Sequence, residues 1–162
     1  MATTFRYETT YSAPPERVYA MLRSSEFREA VCDRLQLVRY TVEVTPDGEA
    51  TDIAMDYVMA ATGVPAFAAS LIGDQIAIRR CESWSSPTLA DFVITIPGKP
   101  GQMKGAVKLV GSGDETKQTV DAQIKVSIPF VGGKIEKLVG DLITSALKVE
   151  AKVGREWLKR DA

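Results

Sequence analysis

The chain has 162 residues, of which 45% are hydrophobic and 25% charged, and its formal net charge is −1. These values suit a single soluble domain spanning residues 1–162, and a near-neutral chain without runs of like charge lacks the basic surface expected of a nucleic-acid-binding protein. The sequence contains no histidine, which excludes Ser-His-Asp and Cys-His catalytic sites, His-ligated zinc and an imidazole general base.

The first predicted elements are one strand and two short helices. Phe5, Tyr7 and Tyr11 alternate with polar residues, which predicts a half-buried strand whose aromatic side faces the interior. Residues 14–35 then predict two short helices, because prolines suit the first turn and apolar residues recur at helical spacing in both halves.

From residue 38 to residue 128 the sequence mostly alternates between apolar and polar side chains, as in antiparallel strands with one solvated face. A turn at Pro46-Asp47-Gly48 joins the first two of these strands into a hairpin. Further strands are predicted at residues 75–84, 89–96, 103–110 and 116–128. We therefore expect a sheet of about seven strands, and not a doubly wound parallel sheet.

The connection at residues 63–73 is unusually apolar, includes Phe67, and is bounded by Gly63 and Gly73. One interpretation is a lid over a cavity mouth, able to hinge or to touch a membrane or a donor protein. The alternative is a short buried helix that completes the core, since apolar runs of this length fit both structures.

Residues 133–159 predict one long amphipathic helix without proline. Glu136 in its first turn and Lys159 and Arg160 in its last suit the two ends of the helix dipole. At about 100° per residue, one arc holds the apolar residues Ile135, Leu138, Val139, Leu142, Ala146, Val149, Val153 and Trp157.

The widths of sheet and helix do not match. Seven strands about 4.8 Å apart make a sheet about 29 Å wide, whereas a helix with its side chains is about 10–12 Å across. Either the sheet curls tightly and large side chains fill the gap, or the two short helices plug one end and a cavity remains.

Two segments carry a resemblance to a known family. One runs from Val-Pro-Ala-Phe at residues 64–67 to Glu-Ser-Trp at residues 82–84, and the other is Ile-Pro-Phe-Val-Gly-Gly-Lys-Ile-Glu-Lys at residues 128–137. They are similar to an actinobacterial branch, domain of unknown function 2505. The element order over the whole chain resembles the START-related superfamily, which includes the birch pollen allergen, polyketide cyclases and lipid-transfer domains.

The resemblance implies one START-like α+β domain with a helix-grip fold. In this fold a curved antiparallel sheet of about seven strands wraps around a long C-terminal helix, with two short helices after the first strand. The resemblance also implies an apolar pocket for a lipid, sterol, polyketide or similar metabolite, and it transfers no catalytic residues.

Polar residues at apolar positions suggest how such a pocket would hold a ligand. Alternation places Arg80 and Glu82 on the inner side of their strand, where they could orient a polar head group; a bulge would instead bring the pair to the surface. Glu150 lies in the apolar arc of the long helix, either as a pocket residue or as a boundary residue that reaches out to a lysine. The expected ligand-binding residues are Tyr57, Met59, Phe67, Arg80, Glu82, Trp84, Leu142, Ala146, Val149, Glu150 and Val153.

The leading interpretation is a carrier or sensor of a small hydrophobic molecule, without metal, nucleotide or other cofactor, and with transient membrane or donor-protein contact. One alternative is a cyclase-like, dehydratase-like or hydrolytic enzyme that uses Glu150, Glu82, Asp56 or Tyr57 as acid or base. The other is a protein-interaction module with a filled core.

The sequence also predicts the compartment. The N-terminus lacks a signal-peptide pattern and no apolar stretch approaches ~18 residues, so we expect a cytoplasmic protein. Cys32 and Cys81 are isolated from each other, which favours two reduced thiols over a disulfide or a metal site.

Overall fold

The computed structural model describes residues 2–61 and 64–160. In chain order its elements are β1 (Thr3–Tyr11), α1 (Pro15–Leu22), α2 (Ser25–Arg34), β2 (Arg39–Asp47), β3 (Ala50–Ala60), α3 (Ala66–Ile72), β4 (Gln75–Ser86), β5 (Leu89–Thr95), β6 (Gly101–Ser112), β7 (Glu115–Val126) and α4 (Gly132–Arg160). No helix within these two stretches is both long enough and apolar enough to cross a bilayer.

The strands form one antiparallel sheet in the order β1-β7-β6-β5-β4-β3-β2. The predicted alternation is confirmed in β1, where Phe5 and Tyr11 are buried while Arg6 and Glu8 are not. The sheet is curved, and the long helix α4 crosses its concave face. The predicted α+β helix-grip fold is therefore confirmed.

The hairpin between β2 and β3 is tighter than the sequence indicated. Pro46 and Asp47 belong to β2, where they pair with Thr51 and Ala50. The predicted Pro46-Asp47-Gly48 turn is therefore wrong, because it begins two residues too early. The connection is Gly48 and Glu49 alone, with Gly48 at a φ of 61°. Proline is tolerated in β2 because this strand lies at the edge of the sheet.

The two short helices close one end of the concave face. The Ser24 hydroxyl accepts a hydrogen bond from the Phe27 amide (3.3 Å) and so caps the N-terminus of α2. Buried apolar side chains from both helices, including Val18, Leu22, Phe27 and Val31, belong to the main hydrophobic core. This end of the molecule is therefore filled by protein.

Helix α4 is rotated relative to the arc that the sequence predicted. Its buried apolar residues include Leu147, Ala151 and Leu158, while Leu142 is 37% exposed. The buried face is centred roughly a quarter turn from the predicted arc. The reason is that α4 packs against β1, β7, α1 and α2 and therefore lies to one side of the sheet. The side chains at one edge of the predicted arc then face the strands that α4 does not cover.

Both halves of α4 are held by specific contacts. Near its start, the Glu136 carboxylate accepts hydrogen bonds from the Thr3 hydroxyl (2.6 Å) and the Val126 amide (2.9 Å). Near its end, Gly154 allows close approach of the Tyr11 ring, which would lie 2.8 Å from a Cβ at that position. These contacts tie the start of the helix to β1 and β7 and its last turns to β1.

Candidate functional site

An apolar cavity of about 380 Å³ lies between the N-terminal half of α4, helix α3 and strands β4 to β7. The strands contribute isoleucines and a methionine, including Ile76, Ile78, Ile94, Met103 and Ile124, and α4 contributes Ile135, Leu138, Val139, Leu142 and Ile143. Lys99 and Gln102 are the lining residues with polar side chains in the described part of the chain. The volume falls in the range of small-molecule sites, about 300–1,000 Å³.

Exposed lining residues on α3, on α4 and on the connection between β5 and β6 define the mouth of this cavity. Leu71 and Ile72 of α3 and Lys99 of the connection are among its lining residues. The Lys134 ammonium lies 5.9 Å from the centre of the Phe67 ring and joins α4 to α3. Several apolar side chains here are exposed: Phe67 (39%), Leu71 (36%), Leu142 (37%) and, in the loop before α4, Phe130 (103%).

Of the two interpretations of residues 63–73, the short buried helix is corrected in part. Residues Ala66–Ile72 form a helix, but Ala68 is its buried residue and the larger side chains remain exposed, so this helix does not complete the core. Its Leu71 and Ile72 instead line the cavity, and the lid interpretation stays a prediction. Gly63, the first residue of the predicted lid, lies outside the described residues.

The opposite end of the concave face is packed. Trp84, Tyr11 and Phe27 are each at most 1% exposed. The Trp84 ring lies 5.3 Å from the Tyr19 ring, and Phe27 meets Trp157 edge to face at 5.6 Å. Within the described residues, the cavity therefore lies at one end of the concave face, and α1 and α2 fill the other end.

Between the packed end and the cavity lies a buried ion cluster, which we define as Arg28, Arg80, Glu82 and Glu150. Arg28 binds Glu82 with two contacts of 2.9 Å, and Arg80 Nη2 lies 2.6 Å from Glu82 Oε2. Glu150 Oε1 lies 3.3 Å from Arg28 Nη1 and 3.8 Å from Arg80 Nη2. Three elements, α2, β4 and α4, therefore meet at two formally positive and two formally negative side chains.

The surroundings of Glu82 keep it ionised. Burial alone would raise the pKa of Glu82, but the charges of Arg28 and Arg80, with hydrogen bonds from Arg28 and Trp84, lower it to about 2. Burial likewise acts to lower the pKa of Arg80, while the charges of Glu82 and Glu150 raise it above its ordinary value. At neutral pH these groups form ion pairs and do not exchange protons.

The predicted inward orientation of Arg80 and Glu82 is confirmed. Their side chains are 16% and 1% exposed, and the irregularity in the pairing of β4 begins only after Trp84, too late to turn the pair outward. The alternative for Glu150, a boundary residue reaching a lysine, is wrong: Glu150 is 4% exposed and bonds to arginine. The reason is the rotation of α4, which centres the buried face closer to Glu150 than the predicted arc did.

The expected ligand-binding residues occupy four different environments. Leu142 is the one that lines the cavity. Glu82, Trp84, Glu150 and Val153 are buried in the packed region or the ion cluster, and Phe67 is at the mouth. Arg80 belongs to the ion cluster, and Tyr57, Met59, Ala146 and Val149 are partly buried and lie outside the cavity lining.

Sequence reasoning missed Arg28 and most of the cavity. Arg28 lies on the same helical face as the apolar residues Cys32 and Leu35. A charged residue at an apolar position is the same signal that identified Glu150. Ile76, Ile94 and Ile124 were recognisable as inward-facing strand residues. The position of α4 decides which end of the sheet stays uncovered. The spacing of apolar residues in the sequence does not indicate that position.

Three of the four acid–base candidates meet at Arg80, because Glu82 and Glu150 pair with it and the Tyr57 side chain interacts with it. Asp56 forms an exposed ion pair with Arg79 (2.7 Å), whereas Glu82 is sealed in the ion cluster. Burial is the main reason that the pKa of Tyr57 is raised above 10.0, and the charge of Arg80 opposes this rise. No group of three or more Cys, Asp or Glu side chains in residues 2–61 and 64–160 is arranged to hold a metal ion.

A second depression of about 440 Å³ lies on the outer face of the sheet. Its lining includes Asp52, Arg79, Ser83 and Asp91, most of which are exposed. A wide groove with charged walls does not remove an apolar molecule from water, so the inner cavity is the candidate site.

The sequence matches the model of a family described as Protein of unknown function (DUF2505) over residues 6–158. An uncharacterized protein of Mycobacterium tuberculosis is 25% identical over 101 residues, and this match covers 59% of the chain and 58% of that protein. The chain therefore spans little more than half the length of this curated relative.

Solved structures share the fold at low sequence identity. A Thermus thermophilus protein is 22% identical with a TM-score of 0.66, covering 99% of both chains. The Zhui aromatase/cyclase from Streptomyces is 6% identical with a TM-score of 0.68, covering 99% of this chain and 95% of its own. A START superfamily protein from Mycobacterium smegmatis is 13% identical with a TM-score of 0.63, covering 98% and 99%. These similarities establish a START-like fold.

Proposed function

The chain belongs to the DUF2505 family, and we propose that it binds a small hydrophobic molecule in the inner cavity as a carrier or sensor. The observation that carries the proposal is the cavity lining, which is aliphatic on the strands and on α4 with polar side chains from Lys99 and Gln102. An apolar molecule that fills this space leaves water and contacts packed hydrocarbon on several sides, gaining about 25 cal/mol per Å² of buried apolar surface.

The mouth supports exchange of such a molecule. Helix α3 borders the opening and presents Phe67 and Leu71 to solvent, each more than a third exposed. We propose that ligand enters between α3 and α4, with transient contact to a membrane or donor protein at this apolar rim. The fully exposed Phe130 ring lies in the loop that leads into α4 and adds to the same end of the molecule.

Binding is better supported than catalysis. The carboxylates nearest the cavity belong to an ion cluster in which arginines lower the pKa of Glu82 to about 2, whereas a general acid at neutral pH needs a raised pKa. The aromatase/cyclase named above shares the fold at 6% identity, which transfers no active site. The cavity volume also favours ligand binding over a filled interaction module.

The direct test is native mass spectrometry of protein purified from its own host, followed by extraction and identification of the co-purifying molecule. In parallel, the purified protein is titrated with Nile red, an uncharged apolar dye whose fluorescence rises when it leaves water. We expect saturable binding of one dye molecule, displaced by medium-chain hydrocarbons. Absence of both a co-purifying apolar molecule and saturable dye binding by folded protein would overturn the proposal.

A further inference from the structure

We propose that the inner end of the cavity recognises an uncharged oxygen group on the ligand, a hydroxyl in particular, through Arg80 and Glu150. This inference rests on the proposed function, since it names the chemistry of the molecule that the cavity holds. The ligand class is an uncharged amphiphile with an apolar body and an alcohol or phenol at its inner end.

Arg80 and Glu150 lie directly beyond the cavity lining. On β4, Arg80 follows the lining residue Ile78 on the same face, and it pairs in register with the lining residue Ile94 on β5. Paired Cα atoms in antiparallel strands are about 4.5–5.5 Å apart. On α4, Glu150 follows the lining residue Ile143 by two turns, so it projects from the same side of the helix.

The hydrogen-bonding capacity of the cluster is used unevenly. Glu82 accepts from Arg28 twice, from Trp84 and from Arg80, all within 2.9 Å. Arg28 also donates from Nε to the Leu22 carbonyl (2.7 Å). Both contacts of Glu150 use Oε1, at 3.3 Å and 3.8 Å. Glu82 and Arg28 are therefore saturated, whereas Arg80 interacts with Tyr57 and keeps an unpaired Nε, and the contacts of Glu150 to the arginines are long.

One unpaired polar atom belongs to the ion cluster, and a second lies in the packed region within reach of the charges of Glu150 and Arg28. Arg80 Nε and Tyr11 Oη are buried and have no hydrogen-bond partner within the described residues. Burial raises the pKa of the Tyr11 hydroxyl, and the charge of Glu150 adds to this rise. Buried polar groups without partners are unfavourable, so a ligand oxygen that reaches this point would meet donors and an acceptor already in place.

The charges of the cluster select an uncharged group. Two arginines and two glutamates balance formally, so a carboxylate or an ammonium head group would bring an unpaired charge into a poorly solvated region. A hydroxyl avoids this, because it donates to the Glu150 carboxylate and accepts from the Arg80 guanidinium.

The experiment compares four ligands with similar chains: decanol, methyl octyl ketone, decanoate and decylammonium, each measured by displacement of Nile red. The protein is tested as wild type, as Glu150→Gln, which leaves the cluster with one excess positive charge, and as Arg80→Gln, which leaves one excess negative charge. Circular dichroism and urea unfolding establish that each variant is folded.

In wild type we expect decanol to bind most tightly. We expect Glu150→Gln to shift the decanoate-to-decanol affinity ratio toward decanoate by about tenfold, and Arg80→Gln to shift the decylammonium-to-decanol ratio toward decylammonium by a similar factor. A head group at the solvated mouth would not respond to either change.

The outcomes separate the two proposals. If all four ligands bind and their ranking is the same in all three proteins, the cavity binds hydrocarbon but the cluster is merely hydrated, and this inference is overturned. If none of the four displaces the dye and the dye itself does not bind, the proposed function fails as well. If a variant does not fold, a crystal structure of the wild-type decanol complex decides by the distance from the hydroxyl to Arg80 and Glu150, which must fall within hydrogen-bonding range.

Discussion

Arg28 on α2 and Glu82 on β4 form a two-contact ion pair, with both nitrogen–oxygen distances at 2.9 Å and both side chains 1% exposed. The pair fixes the second short helix to the middle of the sheet at the boundary between the packed end and the cavity. The stability of the packed end therefore depends on the balance of these buried charges as well as on apolar contacts.

Replacing Arg28 with Met is expected to lower the free energy of unfolding by about 3–5 kcal/mol. The reason is that the buried negative charges of Glu82 and Glu150 would then exceed the positive charge beside them. Urea unfolding followed by circular dichroism measures the change. The matched control is Arg34→Met on the same helix, whose pair with Glu156 (2.9 Å) is about half exposed on each side. That control should cost at most about 1 kcal/mol, and equal losses in the two variants would contradict the prediction.

The ion pair also predicts how stability depends on pH. Glu82 has an ordinary pKa of 4.5 that the fold lowers to about 2, so the folded state binds this proton less readily than the unfolded state. Its contribution to stability is fully present above pH 4.5 and is lost as the pH falls toward 2. We expect the stability difference between wild type and Glu82→Gln to narrow across this window in urea titrations, and a constant difference would be incompatible with the lowered pKa.

Gly154 should resist substitution although it lies within a helix. A Cβ there would meet Tyr11 Cε1 at 2.8 Å and Met21 Cε at 3.1 Å, so Gly154→Ala should destabilise by about 1–3 kcal/mol through overpacking. The control is Gly140→Ala, whose nearest contact is an ordinary 3.5 Å to Ile124 and which should stabilise by up to about 1 kcal/mol through helix propensity. Thermal unfolding measures both, and stabilisation by both substitutions would refute the close-packing argument.

Filling the cavity should block binding. Leu142 lines the cavity near its mouth, so Leu142→Trp should weaken Nile red binding by about tenfold or more by occupying the space of the ligand. Val110→Trp is the control, because Val110 is 60% exposed and is not a lining residue. Unchanged dye affinity in folded Leu142→Trp protein would mean that the dye binds elsewhere.

The exposed apolar side chains around the cavity mouth should affect the rate of ligand exchange and not the affinity for the ligand. Phe130 is fully exposed in the loop between the lining residue Ile128 and α4, so Phe130→Ser should slow the transfer of a fluorescent apolar ligand between protein and phospholipid vesicles while leaving its equilibrium affinity unchanged. Val110→Ser provides an exposed control at the other end of β6. Equal transfer rates in both variants would argue against rim contact with the vesicle.

Local patterns predicted most of the fold. The alternation of Phe5, Tyr7 and Tyr11, and of Arg80, Glu82 and Trp84, places each side chain on the correct face of the sheet, because successive residues of a strand must point to opposite sides. The helix predicted at residues 133–159 differs from Gly132–Arg160 by one residue at each end. The β2–β3 turn was misplaced because Pro46 suits an edge strand as well as a turn.

The candidate site was less predictable, because it depends on contacts between elements far apart in the chain. Glu150 and Glu82 were recognisable as polar residues at apolar positions, but Arg28, which satisfies both, is separated from Glu150 by 122 residues. The cavity lining followed the placement of α4, and only Leu142 among the expected residues belongs to it.

By itself the sequence determined the elements, their amphipathic faces, the antiparallel sheet and the excess of sheet width over helix width, since these follow from backbone periodicity and residue size. The tertiary structure decided where α4 lies across the sheet, which charges pair and which end remains empty. The physical reason is that α4 lies over β1 and β7 and that α1 and α2 fill one end, so the inner faces of β4 to β6 stay uncovered. The position of α4 depends on contacts between distant parts of the chain, and no local sequence pattern predicts it.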